Sequence, residues 1–166
     1  MLDEDYLAQL EQYDIVYSWG VLHHTGAIWQ ALENVALLVA PEGRFFIAIH
    51  NDQCYKTRRW KWIKRSYNQR RWLRPLLLTY GLARTWGIMM LLDIYHLRPF
   101  ASWCAYHAER GMSLWWDVVG RISGWPYEAG APEEIFRFYR DQGFILEELV
   151  TRQGYGSNEF VFRRPV

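Results

Sequence analysis

The chain has little cysteine, little net charge and no stretch that reads as an export signal. Its two cysteines, Cys54 and Cys104, stand fifty residues apart with no second thiol near either. That spacing argues against a zinc knuckle or a disulfide framework and leaves reduced thiols as the expectation. Nineteen Lys and Arg nearly balance eighteen Asp and Glu, so no whole-molecule field argues for nucleic acid or an acidic partner, and any electrostatic argument must be local. Residues 1–10 are acidic and amphipathic where a secretory leader is basic and then continuously apolar, so a cytoplasmic location is expected. Aromatic side chains are plentiful instead: they make up 17% of the 166 residues, and most of the ten tryptophans lie between positions 60 and 125. Large flat side chains supply buried area at low rotamer cost, which suits an apolar pocket or an interface. With 51% hydrophobic and 22% charged residues, one compact domain around one core is expected.

The first piece of the chain, residues 1–52, reads as helix, strand, helix, strand. Asp3 can cap a short helix carrying Tyr6, Leu7 and Leu10. Residues 13–19 (YDIVYSW) are apolar on both faces, as in a strand buried between helix layers, and Gly20 ends them. Ile28, Leu32, Val35 and Val39 recur at helical spacing, Pro41-Glu42-Gly43 makes a turn, and residues 44–50 (RFFIAIH) form an apolar strand. Strand, helix and strand within about forty residues is a βαβ unit with parallel strands. The last piece, residues 131–166, gives a helix opened by Pro132, Glu133 and Glu134 and closed by Gly143. Two strands then flank a turn at Gly154 and Gly156, and they form an antiparallel hairpin. Between these pieces, residues 53–130 are helical, with breaks near Pro75, Pro99, Gly111 and Gly124. They enter after Asn51 and Asp52 at the carboxyl end of a parallel strand, where α/β sheets place their ligand crevice.

The run YDIVYSWGVLHHTG (residues 13–26) and WQALENVALLVAPEGRFFIAIHND (residues 29–52) resembles the fourth and fifth strand regions of class I S-adenosylmethionine-dependent methyltransferases, close to the methyltransferase-11 and -12 type. The tail from 132 to 163, ending NEFVFR, looks like that family's last helix and strand hairpin. The resemblance covers about half the chain, and Glu42 stands where glycine is usual. It implies an α/β fold: a partial Rossmann-like methyltransferase sheet of two parallel strands plus a closing antiparallel hairpin, with a helical insert. Residues 1–52 and 131–166 form the sheet core and 53–130 a helical lid in one partial methyltransferase domain.

The family grips S-adenosylmethionine with a D-x-G-x-G-x-G-like loop after its first strand and an acidic residue after its second. Neither occurs here; the G-x-G at Gly154 and Gly156 reads as a hairpin turn. By this matching the chain starts just before the family's fourth strand, whose outer edge is then open to pairing. Three accounts follow: a fragment of a longer reading frame, a split enzyme whose second chain supplies the N-terminal half, or a degenerate domain that self-associates through that edge.

By resemblance, Ser18, Trp19 and Gly20 run past the methionine part of the cofactor. His23 and His24 lie beside the methyl-accepting group, where a histidine can act as general base; the alternative is that they cap or pack the turn. A metal site is not expected, because adjacent histidines diverge and no carboxylate stands at ligand spacing. Asn51 and Asp52 contact substrate or cap the next helix, and Trp115, Trp116 and Tyr127 wall an acceptor pocket or pack a core. Residues 56–74 hold nine Lys or Arg and no acid, interleaved with Trp60, Trp62, Tyr67 and Trp72, and the largely apolar residues 76–97 follow. A solvated helix face, a lid or peripheral membrane surface serving an apolar substrate, and a nucleic-acid face are all open readings of this segment. Arg84 and Asp93 interrupt the apolar run and argue against a membrane span. The expected activity is methyl transfer to a small, apolar acceptor, with a non-catalytic interaction or membrane-surface module as the competing class.

Overall fold

The computed structural model describes residues 2–7, 9–152, 154 and 156–166. Asp3 Oδ1 accepts the Tyr6 amide at 3.0 Å and opens α1 (Glu4–Leu7). Then come β1 (Tyr13–Trp19), a 3₁₀ turn (Leu22–His24), α2 (Ile28–Ala36) and β2 (Val39–His50). β1 and β2 pair in parallel, as the order of apolar runs requires. α2 stops three residues short of the helical pattern because Val39 is taken by the sheet, where it pairs with Tyr13. The Pro41-Glu42-Gly43 turn lies inside β2 as an irregularity, across which β1 advances from residue 13 to 15 while β2 advances from 39 to 44. Glu42 has φ 64° there, the left-handed region that glycine enters without cost.

The helical stretch comprises α3 (Tyr55–Gln69), a 3₁₀ turn (Arg71–Leu73), α4 (Arg74–Tyr95), α5 (Ala101–Arg110) and α6 (Leu114–Ser123). α7 (Pro132–Asp141), β3 (Ile145–Val150) and β4 (Ser157–Arg163) complete the chain. Glu134 reaches back to the Ala131 amide at 3.2 Å, Pro132 occupies the first turn of α7, and Gly143 at φ 87° closes the helix. The sheet order is β1-β2-β4-β3, with β4 antiparallel to both of its neighbours. The last strand thus slots between β2 and β3, and β1 is an edge.

The chain divides into two compact units, Met1–Arg59 with Pro126–Val166, and Trp60–Trp125. Each has its own apolar cluster where composition suggests one core, because the insert carries enough large apolar side chains to bury among themselves. In the first unit, alternate residues Phe45, Ile47 and Ile49 of β2 and Phe160 and Phe162 of β4 are buried with Leu32, Val35, Ile135 and Tyr139 of α2 and α7. Burying each such ring or branched chain contributes about 2 kcal/mol. The Tyr139 hydroxyl donates to the Leu32 carbonyl at 3.1 Å, and burial holds its phenol well above the ordinary range. The expectation that β1 is buried between helix layers is overturned: among the described residues nothing covers Ile15 and Tyr17 on one of its faces, and they are 68% and 65% exposed.

In the second unit, Ile63, Leu73, Leu77, Leu114, Val118 and Ile122 pack together. α4 and α6 approach at Gly81, where an added Cβ would fall 2.2 Å from Ile122 Cδ1. Asp93 is buried and accepts the Ser102 amide and hydroxyl at 3.0 and 2.6 Å. Lys64 is buried as well, and desolvation pushes its ammonium down to about 8.

Gly81→Ala is expected to lower unfolding stability by about 1–3 kcal/mol through overpacking. Gly87→Ala, where nothing lies within 4 Å of the added methyl, raises it by up to about 1 kcal/mol from helix propensity. Urea melts of the two variants check this, and a Gly81→Ala variant as stable as Gly87→Ala would contradict the close helix contact.

Lys64 titrates near 8 in the folded chain and near ~10.4 when unfolded. The unfolded state therefore binds more protons between those values, and the charge penalty is full below about 8 and relieved as pH rises. Lys64→Met should reduce the gain in stability that the native chain shows between about pH 7 and about pH 9.5. Melts of both proteins at the two pH values decide; parallel pH slopes would contradict it.

Candidate functional site

Because β1 and β2 are parallel neighbours, the residues that follow them share one rim of the sheet. β1 delivers Ser18, Trp19 and Gly20, the 3₁₀ turn delivers His23 and His24, and β2 delivers His50, followed by Asn51 and Asp52. The Gly20 amide donates to the Ala48 carbonyl at 3.3 Å and holds the strand ends together. Ser18 is buried, and its hydroxyl has no hydrogen-bond partner among the described residues. Gly20 has φ 75° with open space where a side chain would begin. Trp19 is 45% exposed and stacks on Tyr17, with ring centroids 5.8 Å apart and planes 5° from parallel.

Three imidazoles gather at this rim. Ring centroids lie 3.8 Å apart for His23 and His50, 4.6 Å for His23 and His24, and 5.9 Å for His24 and His50. The Tyr127 ring lies 5.3 Å from His50 and 6.4 Å from His24. His23 is buried, and the other two histidines are half-buried. His24 Nδ1 sits 2.6 Å from the Pro126 carbonyl oxygen. A carbonyl only accepts, so Nδ1–H donates, and the neutral ring keeps its lone pair on Nε2. His50 Nδ1 lies 3.2 Å from Ser157 Oγ, which brings β4 into the site.

The segment after Trp125 is tied to the same rim through its backbone. The Glu128 amide donates to the His23 carbonyl at 2.9 Å and the Gly130 amide to the His50 carbonyl at 3.0 Å. Asn51 and Gly130 form an isolated bridge. Glu128 Oε2 is buried with no hydrogen-bond partner among the described residues.

Of the residues singled out in the sequence, Ser18, Trp19, Gly20, His23, His24, Asn51, Asp52 and Tyr127 lie in the first unit. Asp52 Oδ1 accepts the Cys54 amide at 2.8 Å just before α3, and Asn51 Nδ2 donates to the Arg152 carbonyl at 3.0 Å. Both side chains thus have structural work. Trp115 and Trp116 sit on α6 in the second unit, 37% and 67% exposed. Sequence reasoning passed over His50, Glu128 and Ser157. For His50 the signal was present: two parallel strands are each followed closely by histidine, and parallel neighbours end on the same rim. Glu128 and Ser157 gave none, since long-range returns of the backbone place them.

No family model and no curated protein matches the chain. Among solved structures it is similar to an O-methyltransferase family protein from Burkholderia thailandensis, with 13% identity and a TM-score of 0.48 over 99% of this chain and 33% of that one. It is also similar to magnesium protoporphyrin IX methyltransferase from Synechocystis PCC 6803 with bound SAH, with 16% identity and a TM-score of 0.44 over 95% of this chain and 48% of that one. The chain spans a third to a half of the length of these proteins. In fold it is an α/β sheet with a parallel pair followed by antiparallel strands.

Proposed function

We propose that this chain is the acceptor-side half of an S-adenosylmethionine-dependent methyltransferase acting on a small, apolar acceptor. The observation that carries the reading is the open edge of β1. The strand that resembles the family's fourth has a partner on one side only among the described residues, and its exposed Ile15 and Tyr17 have no covering layer there. A polypeptide bearing the glycine-rich loop would pair with that edge and complete the sheet. A second copy of this chain is the alternative occupant.

The residues at the rim fit one side of such a cofactor. The Ser18 hydroxyl is buried without a partner and the space over Gly20 is open, which suits a polar ligand passing close to the backbone. S-adenosylmethionine, when bound, supplies an electrophilic methyl group. His24 takes the proton from the acceptor hydroxyl or amine on Nε2, while its Nδ1–H bond to Pro126 fixes the tautomer. His23, His50 and Tyr127 pack the ring in place, so the protein's main contribution is alignment.

A membrane-surface module is the second reading, favoured by α4. The segment Arg71–Tyr95 is long and apolar enough to cross a membrane by length and composition. Ile88, Leu91, Tyr95 and Leu97 are 67–88% exposed, in the same unit as exposed Lys61, Arg65, Arg70 and Arg71. Exposed apolar and basic side chains together suit an anionic bilayer surface, which would make the protein peripheral to a membrane from the cytoplasmic side.

Calorimetric titration of the 166-residue chain with S-adenosylhomocysteine should give weak binding or none. Micromolar affinity from this chain alone would contradict the need for a completing half. Co-sedimentation with anionic phosphatidylserine vesicles at low salt should be lost on Ile88→Asp with Leu91→Asp and reduced on Arg70→Gln with Arg71→Gln. A chain that stays in the supernatant removes the membrane reading.

A further inference from the structure

The three imidazoles at the rim offer one ligand nitrogen each, all within 4.8 Å of one another. We infer that His23, His24 and His50 form a binding site for a late first-row divalent cation of the zinc type, with the fourth position left to water or an anionic oxygen. Neither the methyl donor nor the acceptor enters this inference.

Ligand chemistry selects the metal class. Three neutral imidazoles with no thiolate suit Zn²⁺, Cu²⁺ or Co²⁺ and not the oxygen-seeking Mg²⁺ or Ca²⁺. A tetrahedral ion with bonds of ~2.0 Å holds its ligand nitrogens ~3.3 Å apart. Starting from within 4.8 Å, the rings need to close by about 1.5 Å at most, which side-chain rotation supplies.

The surroundings resemble those of a ligand histidine. Metal-bound imidazoles pass their other ring nitrogen to a carbonyl, hydroxyl or carboxylate, which fixes the tautomer. His24 does so with the Pro126 carbonyl at 2.6 Å, which keeps the Nε2 lone pair for the ion, and His50 Nδ1 has Ser157 Oγ at 3.2 Å. The Glu128 amide donates to the His23 carbonyl and ties the returning segment to the same turn. A bound ion would occupy the lone pair that proton acceptance by His24 requires, so metal-loaded and general-base forms exclude each other at that atom.

The test uses the full chain carrying Cys54→Ser and Cys104→Ser, so that thiols cannot compete, titrated with Co²⁺ and followed by visible absorption. One equivalent should bind with the intense d–d bands of a four-coordinate ion, and Zn²⁺ should displace it. His24→Ala and His50→Ala, at half-buried positions, should each weaken binding about 10–100-fold or more, while His96→Ala and His107→Ala leave it unchanged. Circular dichroism establishes that the variants are folded. Should either be unfolded, imidazole ¹⁵N resonances of the otherwise native chain under Zn²⁺ replace them: His23, His24 and His50 shift together, and His96 and His107 do not. The inference is overturned if four-coordinate bands are absent at about millimolar Co²⁺, if the bands survive the loss of His24 or His50 in folded variants, or if the Zn²⁺-sensitive resonances belong to His96 or His107.

Discussion

Two strands hydrogen-bond to β2, one on each side, and that double pairing positions everything else in the first unit. The parallel ladder with β1 aligns Ser18 and Trp19 with Ile47 and Ala48, so the chain ends that follow arrive at one rim. The antiparallel ladder with β4 sets Phe160 against Ile47 and Ser157 against His50. One face of β2 is thereby locked into the core through Phe45, Ile47 and Ile49. A register slip of one residue on either side would turn core side chains outward and carry His50 away from His23. The histidine cluster is therefore a consequence of sheet register, and His23 and His24 alone could not make it.

Much of this was legible before any coordinates. β1 was marked by its run of β-forming residues, although its apolar character on both faces wrongly implied burial between layers; α2 was marked by helical spacing, α7 by spacing and caps, and the β3–β4 hairpin by two apolar runs around glycines. Those signals work because periodicity reports local backbone geometry and the side from which water is excluded. Which edges meet is a non-local matter, and the insertion of β4 between β2 and β3 left no mark in local pattern. The capture of Val39 by the sheet is a case of tertiary pairing overriding helical spacing, since a strand position beside Tyr13 buries it completely. Glu42 shows the reverse: the turn there was readable, and its left-handed backbone is the conformation for which glycine is usual.

The candidate site divides along the same line. Residues at the ends of β1 and β2 could be named from strand order alone, because a parallel pair must finish on one rim. His50 joins the other two histidines only once register is known, and Pro126 and Glu128 reach the rim by a backbone return across a hundred residues. The second unit carries a different message. Ile88, Leu91 and Tyr95 on α4 and Trp116 on α6 stay exposed beside a cluster of its own, and the membrane-surface proposal rests on that unit alone.

The most direct check of the central claim is a set of nuclear Overhauser contacts at Ile47 in the full chain. With β2 paired on both sides, this one residue shows cross-strand contacts to Ser18 on one side and to Phe160 on the other. Contacts on a single side, with Phe160 reporting only its β3 neighbour Leu149, would mean that β4 does not join the parallel pair and that the histidine rim does not assemble as described.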